Sequence, residues 1–401
     1  MRKFIARVLK AQAEKYINKY NLRVVVVAGS VGKTSTTYAI ANILSEQFSV
    51  RSTIKNYNTD IGVPCSIFNQ PIPNSLRNPF AWIWIFVKNF VLTYKKPPFE
   101  ILVLEIGTDV PGEIEQFKWL KPDIAVVTAV ADEHMEFFKS IDAVAKEELS
   151  VSNYSAKTII NKRMVANEYL RYADSSELYN YDREDIYHIG LVVADLQVAG
   201  EHSIDAVAAG IAVGKTLGMD KESLARGAKA VNPLPGRMQP LRGIKNSTII
   251  DDTYNASPES VLAALDYVYA SGAPQKIVLL GNMNELGETS AASHMKIGEY
   301  CNSSKIDLVL TLGPDANKHT APKAKQKGCM VIETENPYQA AEIIKDNMKE
   351  NALILCKGSQ NKVFAEETVK LLLANPDDAS KLVRQSKFWM KIKADCFKEI
   401  T

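Results

Sequence analysis

The chain has 401 residues, of which 46% are hydrophobic and 23% charged, enough apolar material for a full core and a length that suggests roughly two or three domains. Its 48 basic and 46 acidic residues nearly cancel, to a formal +2, which gives no reason to expect a nucleic-acid partner. Cys65, Cys301, Cys329, Cys356 and Cys396 are scattered and never spaced C-x-x-C, so neither a disulfide framework nor a zinc site is indicated, and a reducing cytoplasm is expected.

Residues 1–22 contain basic side chains but no apolar core of signal-peptide length. They are predicted to form an amphipathic helix with Ile5, Val8, Leu9, Ala13 and Tyr16 on one side. The next stretch, NLRVVVVAGSVGKTSTTYAIANILSEQ, predicts a β-branched strand, a glycine turn and a helix. In the turn, GSVGKTS runs from Gly29 to Ser35. Backbone N–H groups of such a loop, backed by a helix N-terminus, form a site for polyanionic phosphate. Gly29 and Gly32 let the backbone approach a nucleotide, with Ser30 and Ser35 in the same loop; Lys33 would reach the β- and γ-phosphates, and the Thr34 hydroxyl would hold Mg²⁺. Val27 occupies the first glycine position of the usual G-x-x-x-x-G-K-[ST] spacing, but the strand–loop–helix setting still predicts an ATP-binding loop.

Residues 71–99 form an aromatic insert, with NPFAWIWIFVKNFVLTYKK from Asn78 to Lys96 at its centre. Its apolar part is shorter than the roughly 20 residues needed to cross a bilayer, and Lys88 and Asn89 interrupt it. A helix packed on the domain is expected; an interfacial helix, touching a membrane through 78–96 or a partner, is the alternative. EILVLEIG and DIAVVTAV then supply near-continuous apolar strands, and HSIDAVAAGIAVGKTLG a small-residue, buried helix.

The proline and glycine cluster NPLPGRMQPLRG marks a boundary, giving a central domain over 23–236 and a C-terminal domain over 237–401. Beyond it STIIDDTY, KIVLLGN, IDLVLTLG, CMVIE and ALILCKGS alternate with helices near Ser257–Ala270, Ala291–Cys301, Pro337–Asn347 and Asn361–Leu373. The fold class is therefore α/β: a P-loop central domain with a mostly parallel sheet, then a doubly wound, Rossmann-like C-terminal domain.

Eight motifs stand in a fixed order: AGSVGKTSTT, NYNTDIGVP, VLEIGTDVPGEIE, VTAVADEHMEFFKSIDAVAKEE, LPGRMQP, IIDDTYNASPES, LLGNMNELGE and CKGSQNKVFAEETV. Together they resemble the Mur ligase family, most of all the branch that adds D-alanyl-D-alanine to a muramoyl tripeptide. The resemblance implies an ADP-forming peptide ligase of peptidoglycan precursor synthesis. ATP would convert an acceptor carboxylate into an acyl phosphate, which an amine then attacks in the cleft between the two domains. It further implies Mg²⁺ held by Thr34, Glu105, His134 and a carbamylated Lys146, with Lys33, His134, Lys146 and Arg237 catalytic. Arg237, Asp252, Tyr254 and Asn255 would face ATP. Asn56, Asn58 and Asp60, and later Lys357, Gly358 and Ser359, would meet the muramoyl peptide and the D-alanyl-D-alanine; Asn282 and Glu285 belong to the loop between them. A cytoplasmic monomer, with membrane association as the variant, is expected.

The chain also departs from the family. Members carry an N-terminal domain for uridine diphosphate, whereas the phosphate loop here begins at Gly29, so the expectation is an acceptor without that nucleotide or one held by another surface. A lipid-linked acceptor at a membrane, met by the aromatic insert, would fit. Ala129, Ser203 and Ala206 replace family asparagines, and Gln360 replaces the arginine of KGSR, removing a partner for the dipeptide carboxylate. Two rival activities remain: a folylpolyglutamate-synthase-like or other amino-acid ligase, and a nucleotide-dependent, membrane-associated scaffold without catalysis.

Overall fold

The structure, a computed structural model, describes all residues except 54–56, 74, 133–134, 175–176 and 398–401. It divides into two compact units. The first comprises Met1–Ala131, Phe137–Gln197 and Ser203–Val231; the second comprises Asp132–Glu136, Val198–His202 and Asn232–Thr401. The main division thus falls at Asn232, the first residue of the proline cluster, and the N-terminal helix lies within the first unit.

The first unit runs α1 (Arg2–Tyr20), β1 (Arg23–Ala28), α2 (Lys33–Leu44), β2 (Val50–Ser52), α3 (Gly62–Ile67), α4 (Pro79–Leu92), β3 (Ile101–Glu105), β4 (Ile124–Val127), α5 (Met135–Phe138), α6 (Ile141–Leu149), β5 (Lys157–Asn161), β6 (Leu178–Tyr181), α7 (Glu184–His188), α8 (Glu201–Thr216) and α9 (Lys221–Ala230). Its strands form one parallel sheet in the order β2-β3-β1-β4-β5-β6. β1, β3 and β4 lie at its centre and are buried almost throughout, which is why they read as unbroken apolar runs. β2 and β6 are short edge strands with little buried surface, so no such run announces them.

α1 buries Ile5, Leu9, Ala13, Tyr16 and Ile17, while Val8 is only half-buried. The small residues of α8 and α9 allow both helices to lie close on α2. A Cβ on Gly210 would stand 2.6 Å from Ile43 Cδ1, and one on Gly227 would stand 2.8 Å from Ile43 Cα.

The second unit runs β7 (Gln239–Arg242), β8 (Thr248–Asp252), α10 (Pro258–Ala270), β9 (Lys276–Gly281), α11 (Ser290–Tyr300), β10 (Leu308–Leu312), α12 (Ala321–Gln326), β11 (Val331–Thr334), α13 (Pro337–Asn347), β12 (Leu353–Lys357), α14 (Glu366–Leu372) and α15 (Lys387–Cys396). The sheet order is β11-β10-β9-β12-β8-β7, parallel except for β7. β7 arises from the proline cluster itself. Its edge position tolerates Pro240, which has no N–H to give to a second neighbour. The helix expected over Asn361–Leu373 begins only at Glu366, because Asn361, Lys362 and Phe364 adopt positive φ (64°, 66° and 49°) and form a turn instead.

Replacing Gly227 with Val should force α9 off the Ile43 backbone. The expected cost is about 1–3 kcal/mol, read as a lower melting temperature by circular dichroism.

Candidate active site

The phosphate loop leaves the end of β1 and enters α2 at the centre of the first sheet, the usual place for a ligand in a parallel α/β fold. Gly29 has φ +122° and Gly32 φ +87°, conformations that glycine adopts without a steric penalty. Gly29 is also pressed against β4, where a Cβ would lie 2.3 Å from Thr128 Oγ1 and 2.8 Å from the Ala129 N. The Thr128 hydroxyl donates to the carbonyls of Val31 (2.6 Å) and Ala28 (3.2 Å). Ser30 N–H donates to Ala129 O at 3.0 Å, and Ser30 Oγ accepts from Ala131 N at 3.1 Å. Ala129 thus holds the loop through its main chain.

Lys33 Nζ arches over this loop and donates to the carbonyls of Gly29 (2.6 Å) and Ser30 (3.2 Å). Thr34 and Ser35 follow in the first turn of α2, where the helix dipole favours an anion. Loop and helix terminus together fit a nucleotide polyphosphate.

Glu105 ends β3 directly beside Val27 of β1 and is buried, its N–H bonded to Thr53 Oγ1 at 3.0 Å. Asn58 packs against the same strand end: its carbonyl accepts from Gly107 N, and its amide fills the space a Gly107 Cβ would take, 2.5 Å away. Asp60 is engaged elsewhere, by Arg2 at 2.9 Å and by the N–H of Ile61 at 3.0 Å. Asn56 and His134 lie outside the described residues. Lys146 is exposed on α6, a helix capped by Ser140, whose hydroxyl accepts from Ala143 N at 3.2 Å. Among the described residues no three His, Cys, Asp or Glu side chains gather to hold a metal. Of the expected metal ligands, Thr34, Glu105 and a carbamylated Lys146 would offer oxygen donors, which suit Mg²⁺.

Two residues next to Lys146 carry structural weight that the motif reading passed over. Glu148 is buried and accepts from Gly29 N at 2.7 Å; Glu147 accepts from Gly112 N (2.8 Å) and Ile114 N (2.7 Å). α6 therefore clamps both the phosphate loop and the segment after Glu105. Two adjacent acids directly after Lys146 were the signal available for this.

In the second unit Asp252, Tyr254, Asn255, Lys357, Gly358 and Ser359 meet at the carboxyl ends of the neighbouring strands β8 and β12. Lys357 Nζ is buried, 2.6 Å from Asp252 Oδ2 and 3.1 Å from Asn255 O. Ser359 is likewise occupied, donating to Ala256 O (3.2 Å) and accepting from Asn284 N (2.9 Å). These two side chains, expected to touch substrate, join the turn after β8 to the loop after β12. Asn282 accepts from Ala316 N at 2.9 Å, and Glu285 adopts φ +67° in the same loop region.

Arg237 stacks its guanidinium 4.2 Å from the centre of the Tyr254 ring, and Tyr254 N–H bonds to Gly236 O at 2.9 Å. Arg384, beyond every motif, donates to Thr253 O and Tyr254 O and makes a two-pronged pair with Glu366 at 2.8 Å, fixing the turn that carries Tyr254 and Asn255. No pattern in the sequence singles out this arginine.

Burial raises the Asp251 carboxyl to about 7, opposed by hydrogen bonds from the Thr253 hydroxyl and N–H. Its folded value exceeds the unfolded one, so its stabilising effect is full in acid and is lost as pH rises through about 7. The melting temperature should therefore fall between about pH 4 and about pH 7 and level off above that, and Asp251→Asn should reduce that fall. Glu148→Ala should leave the Gly29 N–H without a protein partner. The expected loss is about 1–3 kcal/mol in a denaturant titration, with weaker ADP binding by calorimetry and partial recovery in Glu148→Gln.

Known families share this arrangement. A model of the Mur ligase middle domain matches residues 27–72 and 85–188, and one of the Mur ligase, glutamate ligase domain matches 236–360. The UDP-N-acetylmuramoyl-tripeptide–D-alanyl-D-alanine ligase of Bacillus subtilis is 28% identical over 92% of this chain and 79% of its own. Among solved structures, MurF from Acinetobacter baumannii superposes with a TM-score of 0.71 at 20% identity, over 90% of this chain and 79% of that one. MurF from Thermotoga maritima, solved in complex with ADP, gives 0.69 at 22% identity over 91% and 83%. With both of its compact units matched by consecutive Mur domains and its relatives aligned along most of its length, the chain belongs to the Mur ligase family.

Proposed function

We propose that this chain is an ATP-dependent, ADP-forming amide-bond ligase of peptidoglycan precursor synthesis that joins D-alanyl-D-alanine to a muramoyl tripeptide in the cytoplasm. The observation that carries this reading is the alignment, over 92% of the chain, to a ligase of that printed activity. The phosphate loop supports the use of ATP, as does a relative of the same fold solved with ADP.

ATP, when bound with Mg²⁺, would supply the phosphoryl group that turns the acceptor carboxylate into a reactive acyl phosphate. The residues of the chain bind, orient and neutralise. The loop N–H groups and the start of α2 hold the polyphosphate. Lys33 exchanges its two loop carbonyls for phosphate oxygens, which gives a charge-assisted bond in place of neutral ones. Thr34 and Glu105 would supply oxygen ligands to the metal, and a carbamylated Lys146, with His134, would complete them. In the second unit the planar fork of Arg237, already held on Tyr254, suits a phosphate group. Gly358, packed closely on Val363 and Gly281, fixes with Lys357 and Ser359 the path of the loop that would meet the incoming amine.

Phosphate release from ATP and Mg²⁺ should require a muramoyl tripeptide and D-alanyl-D-alanine together, with a new amide seen by mass spectrometry; a folate with glutamate should give none. Lys146→Ala should lower turnover by about 100-fold or more, with partial rescue by a short carboxylic acid that replaces the carbamate. If ATP binds yet no acceptor stimulates hydrolysis, the non-catalytic scaffold reading takes its place.

A further inference from the structure

α4 begins at Asn78, whose side chain accepts from Ala81 N at 3.2 Å, and Pro79 pre-sets the first turn. One side of the helix is anchored. Trp82 and Ile85 pack with Ile5 and Leu9 of α1, and Asn89 is buried. The opposite side carries Phe80, Ile83, Trp84, Val87, Phe90 and Val91, all exposed, with Phe80 at 81% and Trp84 at 59%. Steps of three, one, three, three and one residues put these six side chains on a single helical face. Tyr94 extends it one turn further. A contiguous apolar face of this kind marks an interaction surface. The family match passes over residues 73–84, so the first half of this helix lies outside what the family shares.

Charge identifies the partner. From Ser75 to Phe99 the sequence contains Arg77, Lys88, Lys95 and Lys96 and no acid. α1 lies alongside in the same direction, with Gln12 Nε2 donating to Phe86 O (2.8 Å) and Lys19 Nζ to Thr93 O (3.1 Å). That pairing adds more cations to the rim: Lys15 and Lys19 lie 4.9 and 4.4 Å from the Tyr94 ring centre, and Lys88 lies 4.7 Å from that of Trp84. Their aliphatic stems cover apolar surface and their ammonium groups border it, as at a membrane interface. Two copies of this face brought together would oppose their own lysines, whereas anionic headgroups complement them.

We propose that the exposed face of α4, with the lysines of α4 and α1 around it, docks in the plane of an anionic lipid bilayer. The helix is about 21 Å long, and among the described residues no helix is long and apolar enough to cross a membrane, so α4 lies in the interface. This docking stands on the helix alone and does not depend on the ligase reading.

The test is co-sedimentation of the full chain with vesicles of phosphatidylcholine, alone or with about one-third phosphatidylglycerol, at low and high salt. Binding should be confined largely to the anionic vesicles, weaken with salt, and shift tryptophan emission to the blue. Ile83→Glu with Trp84→Glu should abolish it. Lys88→Glu, Lys95→Glu and Lys96→Glu combined should weaken it by on the order of tenfold or more. Both variants alter exposed side chains and should keep the wild-type melting curve. Equal sedimentation with and without anionic vesicles would overturn the proposal in favour of an acidic protein partner. A lipid-free dimer lost in the Trp84 variant would overturn it in favour of self-association.

Discussion

The phosphate loop can follow its path only because a glycine stands where the chain turns off β1 against β4. At Gly29 there is no room for a side chain beside Thr128, and the backbone angle is one that other residues avoid. Once seated, the loop is held from outside its own sequence, by the Thr128 hydroxyl, the Ala129 carbonyl and the buried carboxylate of Glu148. Each takes a main-chain group that would otherwise be buried unpaired, and so fixes the path of the loop. The same helix that supplies Glu148 presents Lys146 at its surface and, through Glu147, holds the chain after Glu105. The phosphate loop, the end of β3 at Glu105 and Lys146 are thereby parts of one hydrogen-bonded framework.

The second unit solves a similar problem with ion pairs. Asp252 and Lys357 sit on adjacent parallel strands and neutralise one another away from water, so the turn after β8 and the loop after β12 cannot move independently. A second buried group, in which Glu366 and Glu367 meet Arg384 and Lys393, ties the C-terminal helix to the same turn. Buried pairs of this kind add little net stability, because desolvation offsets most of their attraction, but they are costly to break and therefore fix geometry.

α4 answers to a different constraint. Its anchored side follows the ordinary rule of burying apolar surface against α1, while its other side leaves seven large side chains in solvent beside a row of lysines. Nothing in the first unit needs that exposure, and no other described helix repeats it.

Much of this was legible in the order of residues. The central strands were visible because a parallel sheet covered on both faces demands unbroken apolar runs, and the phosphate loop because glycines, lysine and hydroxyls must stand at fixed positions between strand and helix. α13 appeared at its observed limits, Pro337–Asn347, since an asparagine cap and an N1 proline announce its start. Short edge strands such as β2 and β6 were silent, because they bury too little to shape composition; β7 was masked by the prolines that its edge position permits. Only the tertiary structure could assign Lys357 and Ser359 to bracing, Asp60 to Arg2, and Glu148 and Arg384 to the main chain of the site. A carboxylate or a guanidinium carries the same charge wherever it stands in the sequence, and what it does is decided by which N–H or carbonyl the fold brings within reach.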